Sequence, residues 1–386
     1  MKYPVTMQPA RLSLFLIAAA AVATAQSPAP TSSEPQPQQV WQMQDSGTTA
    51  GLRGIDSVNG TFAWASGTEG TVLKTTDGGA HWQKCAVPDG DKDGATLDFR
   101  GVQAWDAKTA IVMASGPGEK SRLYKTVDGC KSWSLLLKNH DKDGFWDGIV
   151  FGLRGAGFLF GDPVAGRFVL LFTLDRGRTW HPAKTGDLAS GPEKIGAFAA
   201  SNSAMTVHAN DDVPIFGTSG PGGPWLYSPG VVCTALSAAS DPVSCLEGGL
   251  RFDRQVLPMA GDSASAGIFS VQSISPGFER FTAVAVGGDY TKPSEGKGTA
   301  AWSEDLGQHW AASATPPHGY RSTVQWSEPL RVWITAGTDG SDISTDDGRT
   351  WQPLDNGNWN ALSLPFIVGP KGRIARLNSA AFPPEK

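Results

Sequence analysis

The sequence predicts an all-β chain: a seven-bladed β-propeller of four-stranded antiparallel blades, with the first ordered strand completing the last blade. Eight blades is the alternative. Three observations predict this. An eight-residue pattern recurs five times, seven inner-strand starts follow one another along the chain, and the first folded segment parallels the stretch after the last octet. Composition agrees: 386 residues include 47 Gly and 14 Trp, with only 18% charged. Such a chain buries a core, so wholesale disorder is excluded, and no collagen-like or heptad period is present. The net charge of −5 gives a nucleic-acid partner no electrostatic support.

The first residues read as an address. Lys2 and Arg11 precede an apolar run over 12–23, and Ala23-Thr24-Ala25 matches a small-x-small cleavage site. Residues 1–25 are therefore expected to be a secretory signal peptide cut near Ala25, and the run is short for a membrane anchor. Residues 26–39, rich in Pro, Ser and Gln, read as a linker, 40–378 as the propeller and 379–386 as a tail. The expected location is periplasmic or extracellular, with no membrane span in the mature chain. Four cysteines would then meet an oxidising compartment. Cys233 and Cys245 bracket a short polar loop and pair most simply with each other, leaving Cys85 with Cys130; free thiols are the alternative.

The octet reads Ser/Thr, any, Asp, any, Gly, any, any, Trp. Its copies carry Asp77 and Trp82, Asp128 and Trp133, Asp175 and Trp180, Asp305 and Trp310, Asp346 and Trp351, with Cys130 in the Gly slot of the second. The pattern suits a hairpin corner between two outer strands. The carboxylate accepts turn N–H groups, Gly permits positive φ, and Trp offers a large apolar surface to the core.

The Asp-to-Asp steps are 51, 47, 130 and 41 residues. Inner strands are expected to start at Leu52-Arg-Gly-Ile55, Phe99-Arg-Gly-Val102, Trp146-Asp-Gly-Ile149, Ile195-Gly-Ala-Phe198, Ala266-Gly-Ile-Phe269, Tyr320-Arg-Ser-Thr323 and Trp359-Asn-Ala-Leu362. The long step thus holds two units, one having lost its octet to an insertion around 228–249. In the first unit the strands read 52–57, 61–66, 71–75 and 80–85. The seventh unit stops after a third strand at 373–377. Its fourth is expected from Val40-Trp-Gln-Met-Gln-Asp-Ser-Gly47, which parallels Thr350-Trp-Gln-Pro-Leu-Asp-Asn-Gly357.

The octets resemble the BNR or Asp-box repeat of the sialidase-like superfamily of β-propellers, in outline over residues 40–378. Leu52-Arg-Gly-Ile55 with Gly70-Thr-Val-Leu-Lys-Thr-Thr-Asp77-Gly-Gly is similar to the repeat of the photosystem II stability/assembly factor family, and Gly369-Pro-Lys-Gly-Arg-Ile374 to its final copy. The resemblance implies a non-enzymatic propeller that assists assembly of a protein complex through an arginine-rich face. The matching arginines are Arg53, Arg100 and Arg321, while Asp147 and Gly196 depart from the pattern.

Arginines entering inner strands from one face would ring the central opening, with Tyr320 beside Arg321. Their planar forks suit a carboxylate or phosphate. Pairing with Asp98, Asp147 or Asp162 is the structural alternative. A glycoside hydrolase would need two carboxylates across the bond, or a Tyr nucleophile. The pieces most easily cast in those parts are Asp289, Tyr290 and Asp162, although the sialidase Phe/Tyr-Arg-Ile-Pro signature is absent. Asn139, Asp141, Asp143 and Asp147 place oxygens around a Gly turn, in the manner of calcium loops in some propellers, so a structural calcium is one reading and a solvated turn the other. The histidines show no metal spacing, and no phosphate loop or nucleophile elbow occurs. The expectation is a monomeric, exported scaffold without cofactor, binding a protein partner or a small anionic or carbohydrate ligand; the alternative is a sialidase-superfamily glycoside hydrolase.

Overall fold

In a computed structural model, residues 39–382 are described except 153–154, 186–187, 191–194, 208–212, 231–249, 276–280 and 306. The leader and most of the linker lie outside these residues, as do Cys233 and Cys245. Seven four-stranded antiparallel sheets form the ring of a propeller. Blade 1 runs Leu52–Ser57, Ala63–Gly67, Val72–Thr75 and Gln83–Lys84, and blade 2 runs Phe99–Ala104, Ala110–Ala114, Arg122–Thr126 and Ser134–Lys138. Blades 3, 4, 5 and 6 begin at Trp146–Phe151, Met205–Val207, Ala266–Ile274 and Thr323–Ser327.

Blade 7 closes the ring as the sequence predicts. Trp41–Gln44 pairs with Ile374–Leu377, in the register Trp41 to Leu377 and Gln44 to Ile374. Three strands from the end of the propeller and one from its beginning thus make one sheet, which holds the two ends of the ring together.

The core lies between blades. Seven hydrophobic clusters of described residues each join two neighbouring blades. The octet tryptophans serve these seams, where the sequence suggested a place in the core. Trp82 packs on blade 7, edge-on to Phe366 at 5.5 Å, and Trp133 packs on blade 1, edge-on to Trp64 at 6.4 Å. Trp180, Trp310 and Trp351 pack on blades 2, 4 and 5. Trp351 is buried at 3% exposure, but Trp82, Trp133, Trp180 and Trp310 are only half-buried, because the octet sits at the rim. Trp41 repeats the arrangement on blade 6, donating its Nε1–H to Ser341 Oγ at 3.0 Å.

The octets do occupy corners between third and fourth strands. In the first, Asp77 Oδ1 accepts from Thr75 Oγ1 and the His81 N–H, while the Gly79 N–H donates to Thr75 Oγ1. The His81 contacts, backbone first, hold the Asp77 carboxyl down at about 2. In the second octet Cys130 stands at φ +65°, the conformation its Gly slot requires, and forms a disulfide to Cys85. This pairing agrees with the expected one and ties blade 2 to the outer part of blade 1.

Blade 4 departs from the expectation. No strand starts at Ile195; the inner strand begins at Met205. Its octet is missing between Trp225–Pro229 and Phe252–Val256, where the insertion falls largely outside the described residues.

Candidate functional site

Inner strands of this propeller carry β-bulges at one height. Leu52 pairs with Gly67 and Gly54 with Ser66, which leaves Arg53 between them without a partner. The same slip isolates Arg100, Asp147 and Phe269 in blades 2, 3 and 5. A bulge turns the extra residue out of the ladder, and all four side chains line one pocket on the propeller axis. Asp162 reaches it from a second bulge, in Gly157–Val164.

Blade 4 supplies the floor. The irregular stretch 195–203 crosses the axis and bonds to four other blades. The Ala197 N–H donates to Asp162 Oδ1 at 2.8 Å, and Arg100 Nη1 donates to Ala199 O at 3.3 Å. Ser201 Oγ donates to Ser322 O at 2.6 Å, Ser203 Oγ to Ser270 Oγ at 2.8 Å, and Asn202 Oδ1 accepts the Ile149 N–H at 2.9 Å. The result is a blind cup of about 480 Å³ lined from all seven blades.

Three chemistries divide its wall. Blades 1 and 2 present Arg53 and Arg100, both half-exposed and both on Asp98 Oδ2, at 3.8 Å and 2.8 Å. Burial, then repulsion from Arg100, lowers the Arg53 pKa. Blade 3 presents the two acids. Asp147 is 1% exposed, and its Oδ2 has no hydrogen-bond partner. Burial, then the charge of Asp162, raises its pKa, opposed by Arg100; burial also raises Asp162. Blades 4 to 6 present aromatic rings. Phe198 stacks on Phe269 at 3.6 Å, Tyr320 meets Phe269 edge-on at 4.7 Å, and Tyr290 stands at the mouth, 52% exposed.

The predicted residues sort unequally. Arg53, Arg100 and Tyr320 come together at the cup; Arg321 does not. It is fully buried, bonded to Asp342 and in contact with the His318 ring. The reason is a one-residue offset in blade 6. A Cβ on Gly337 would strike Tyr320 O and crowd Arg321 Cα, just as one on Gly67 would strike Gly51 O and crowd Leu52 Cα. Arg321 therefore occupies the buried Leu52 slot, and Ser322 takes the pocket-facing slot of Arg53. In blade 5 the offset is two, which brings in Phe269, a residue that the sequence reading did not assign to the site.

The hydrolase pieces are split as well. Asp162 and Tyr290 line the cup, but Asp289 lines a separate pocket with Lys292 and Lys297. So are the expected calcium ligands: Asp147 faces the axis, whereas Asp143 is exposed and paired with Lys142. Among the described residues no group of three or more His, Cys, Asp or Glu side chains is set to hold a metal ion, and no helix is long and apolar enough to cross a membrane.

Solved propellers resemble this ring. YCF48 from Cyanidioschyzon merolae is 16% identical with a TM-score of 0.58, covering 88% of this chain and 99% of its own. The likeness is one of fold. YCF48 bound to a D1 peptide is 17% identical at TM-score 0.53, covering 88% and 95%. An ancestral GH74 enzyme reaches 12% and 0.48, covering 85% of this chain and 41% of its own. No family model matches the chain. An uncharacterised human protein encoded by LINC00311 is 40% identical over 42 residues, 11% of this chain; the match spans about a third of that protein's length (35%).

Proposed function

We propose that this chain is a non-enzymatic, exported binding protein whose axial mouth docks a protein partner or an anionic ligand. The observation that carries the reading is the pair Arg53 and Arg100, set side by side by matching bulges and left half-exposed at the cup. One carboxylate, Asp98, is shared between the two, so guanidinium N–H groups stay available for an oxyanion. The repeat's resemblance to assembly factors supports a protein partner, as does a propeller of this fold, YCF48, with a peptide bound. Export rests on the leader-like residues 1–25 and agrees with the disulfide.

Affinity capture from an envelope extract tests the reading. Arg53→Glu with Arg100→Glu is expected to abolish recovery of a partner that the unaltered chain retains. Undiminished capture would overturn the docking face. Of the residues cast for the hydrolase alternative, Asp162 and Tyr290 line the cup and Asp289 lines a separate pocket. Turnover of a fluorogenic glycoside, lost with Asp162→Asn, would favour that alternative.

A further inference from the structure

The cup holds more chemistry than an anion site needs. An arginine pair alone would account for docking an oxyanion. It would not account for Asp147, a carboxyl group 1% exposed whose Oδ2 has no partner although it lines an accessible pocket. A buried, unsatisfied carboxyl oxygen is costly unless something else completes it. Beside it stands a second acid, Asp162, whose charge adds to burial, the larger cause, in raising the Asp147 pKa. A cationic group set between them would relieve that repulsion and fill the vacant acceptor.

The third element is apolar. Phe269 carries the stacked ring of Phe198 and the edge of Tyr320, and Tyr290 meets it edge-on at 6.2 Å. Guanidinium, carboxyl and ring groups thus occupy successive arcs of one wall, above a closed floor. The volume of about 480 Å³ lies within the roughly 300–1,000 Å³ of small-molecule sites.

We propose that the axial cup is a three-point receptor for a free α-amino acid with an apolar side chain. Arg53 and Arg100 take its carboxylate, Asp147 and Asp162 its ammonium, and the Phe269–Tyr290 wall its side chain. The floor at 195–203 limits the ligand to a small molecule entering from the mouth. This deepens the binding reading at the same pocket and rests on its arginine pair.

Calorimetric titration of the full chain at neutral pH decides it, with L-phenylalanine, N-acetyl-L-phenylalanine and phenethylamine as probes. L-Phenylalanine is expected to bind at one saturable site. The acetylated probe, without its ammonium, and the amine, without its carboxylate, should each bind at least tenfold more weakly. Asp147→Asn and Asp162→Asn should each weaken L-phenylalanine at least tenfold. No saturable L-phenylalanine binding to the unaltered, folded chain would overturn the proposal. So would an acetylated probe that binds as tightly as the amino acid. Neither result touches the docking reading, which falls only if partner capture survives loss of the two arginine charges.

Discussion

The seam between blades 1 and 2 and the seam between blades 3 and 4 solve one problem in two ways. At the first, the octet brings Trp133 to the rim, its Nε1–H donates to Ala86 O at 2.8 Å, and the disulfide Cys85–Cys130 joins the blades covalently. At the second there is no octet, and the tryptophan that packs on the seam, Trp225, comes from the start of the third strand of blade 4. Rings fill the middle of the seam: Phe160 lies 4.3 Å from Phe216, which stacks on Tyr227 at 4.8 Å, with Phe168 and Phe252 around them. The repeat is therefore a device for closing seams, and buried aromatic area replaces it. The replacement also changes the axis. Blade 4 starts its inner strand late, at Met205, and spends the stretch 195–203 as the floor of the cup.

Removing the key ring from each seam should separate the two solutions most strongly. Phe216→Ala, at a fully buried residue, should cost about 3–5 kcal/mol. Trp133→Ala, at a half-buried one, should cost only about 1–2 kcal/mol. Urea unfolding measures both, and equal costs would show that the rim tryptophan carries core burden after all.

The covalent tie comes next. Loss of the disulfide through Cys85→Ser with Cys130→Ser should cost about 2–4 kcal/mol. Because Cys130 stands at φ +65°, Cys85→Ser with Cys130→Gly should recover up to about 1 kcal/mol of that loss. Thermal melts of the two double variants supply the comparison; a Gly variant no better than Ser would mean the octet slot stores no strain.

The smallest expected effect is a pH dependence special to the first seam. Asp56 reaches from blade 1 to accept the Ala104 N–H and Gln103 Nε2 of blade 2. Burial pushes its carboxyl up to about 6, against the opposing pull of the Ala104 N–H. A folded pKa above the unfolded one means the folded chain binds the extra proton, so this contribution is present at low pH and lost as pH rises from about 4 to 6. Asp56→Asn keeps an acceptor oxygen without the charge. It should flatten stability over that window and raise it near neutrality by on the order of 1 kcal/mol. A variant that keeps the wild-type slope would place the titration elsewhere.

What the sequence revealed follows the same division. Where the octet survives, short-range chemistry is repeated and the blades could be read directly, down to the parallel between Trp41 and Trp351 that closes the ring. Arg53 and Arg100 could be read because a large apolar residue precedes each and Gly follows. Arg321 could not. Its Tyr-Arg-Ser setting imitates that pattern, while the close approach of Gly337 to the preceding strand moves it into the protein. Such an offset is a three-dimensional fact with no local signature. The axial stretch was hidden for a similar reason: Ile195-Gly-Ala-Phe198 has strand-like composition, but its partners are four other blades.

The central claim is that partners approach along the axis at the arginine side of the cup. Photo-crosslinking tests it most directly, with a benzoylphenylalanine replacing either Tyr290 at the mouth or Val127 at the blade 2 corner, both exposed. The account predicts a crosslinked partner from position 290 alone, lost when Arg53 and Arg100 are changed to Glu. A crosslink from position 127 and none from 290 would contradict it.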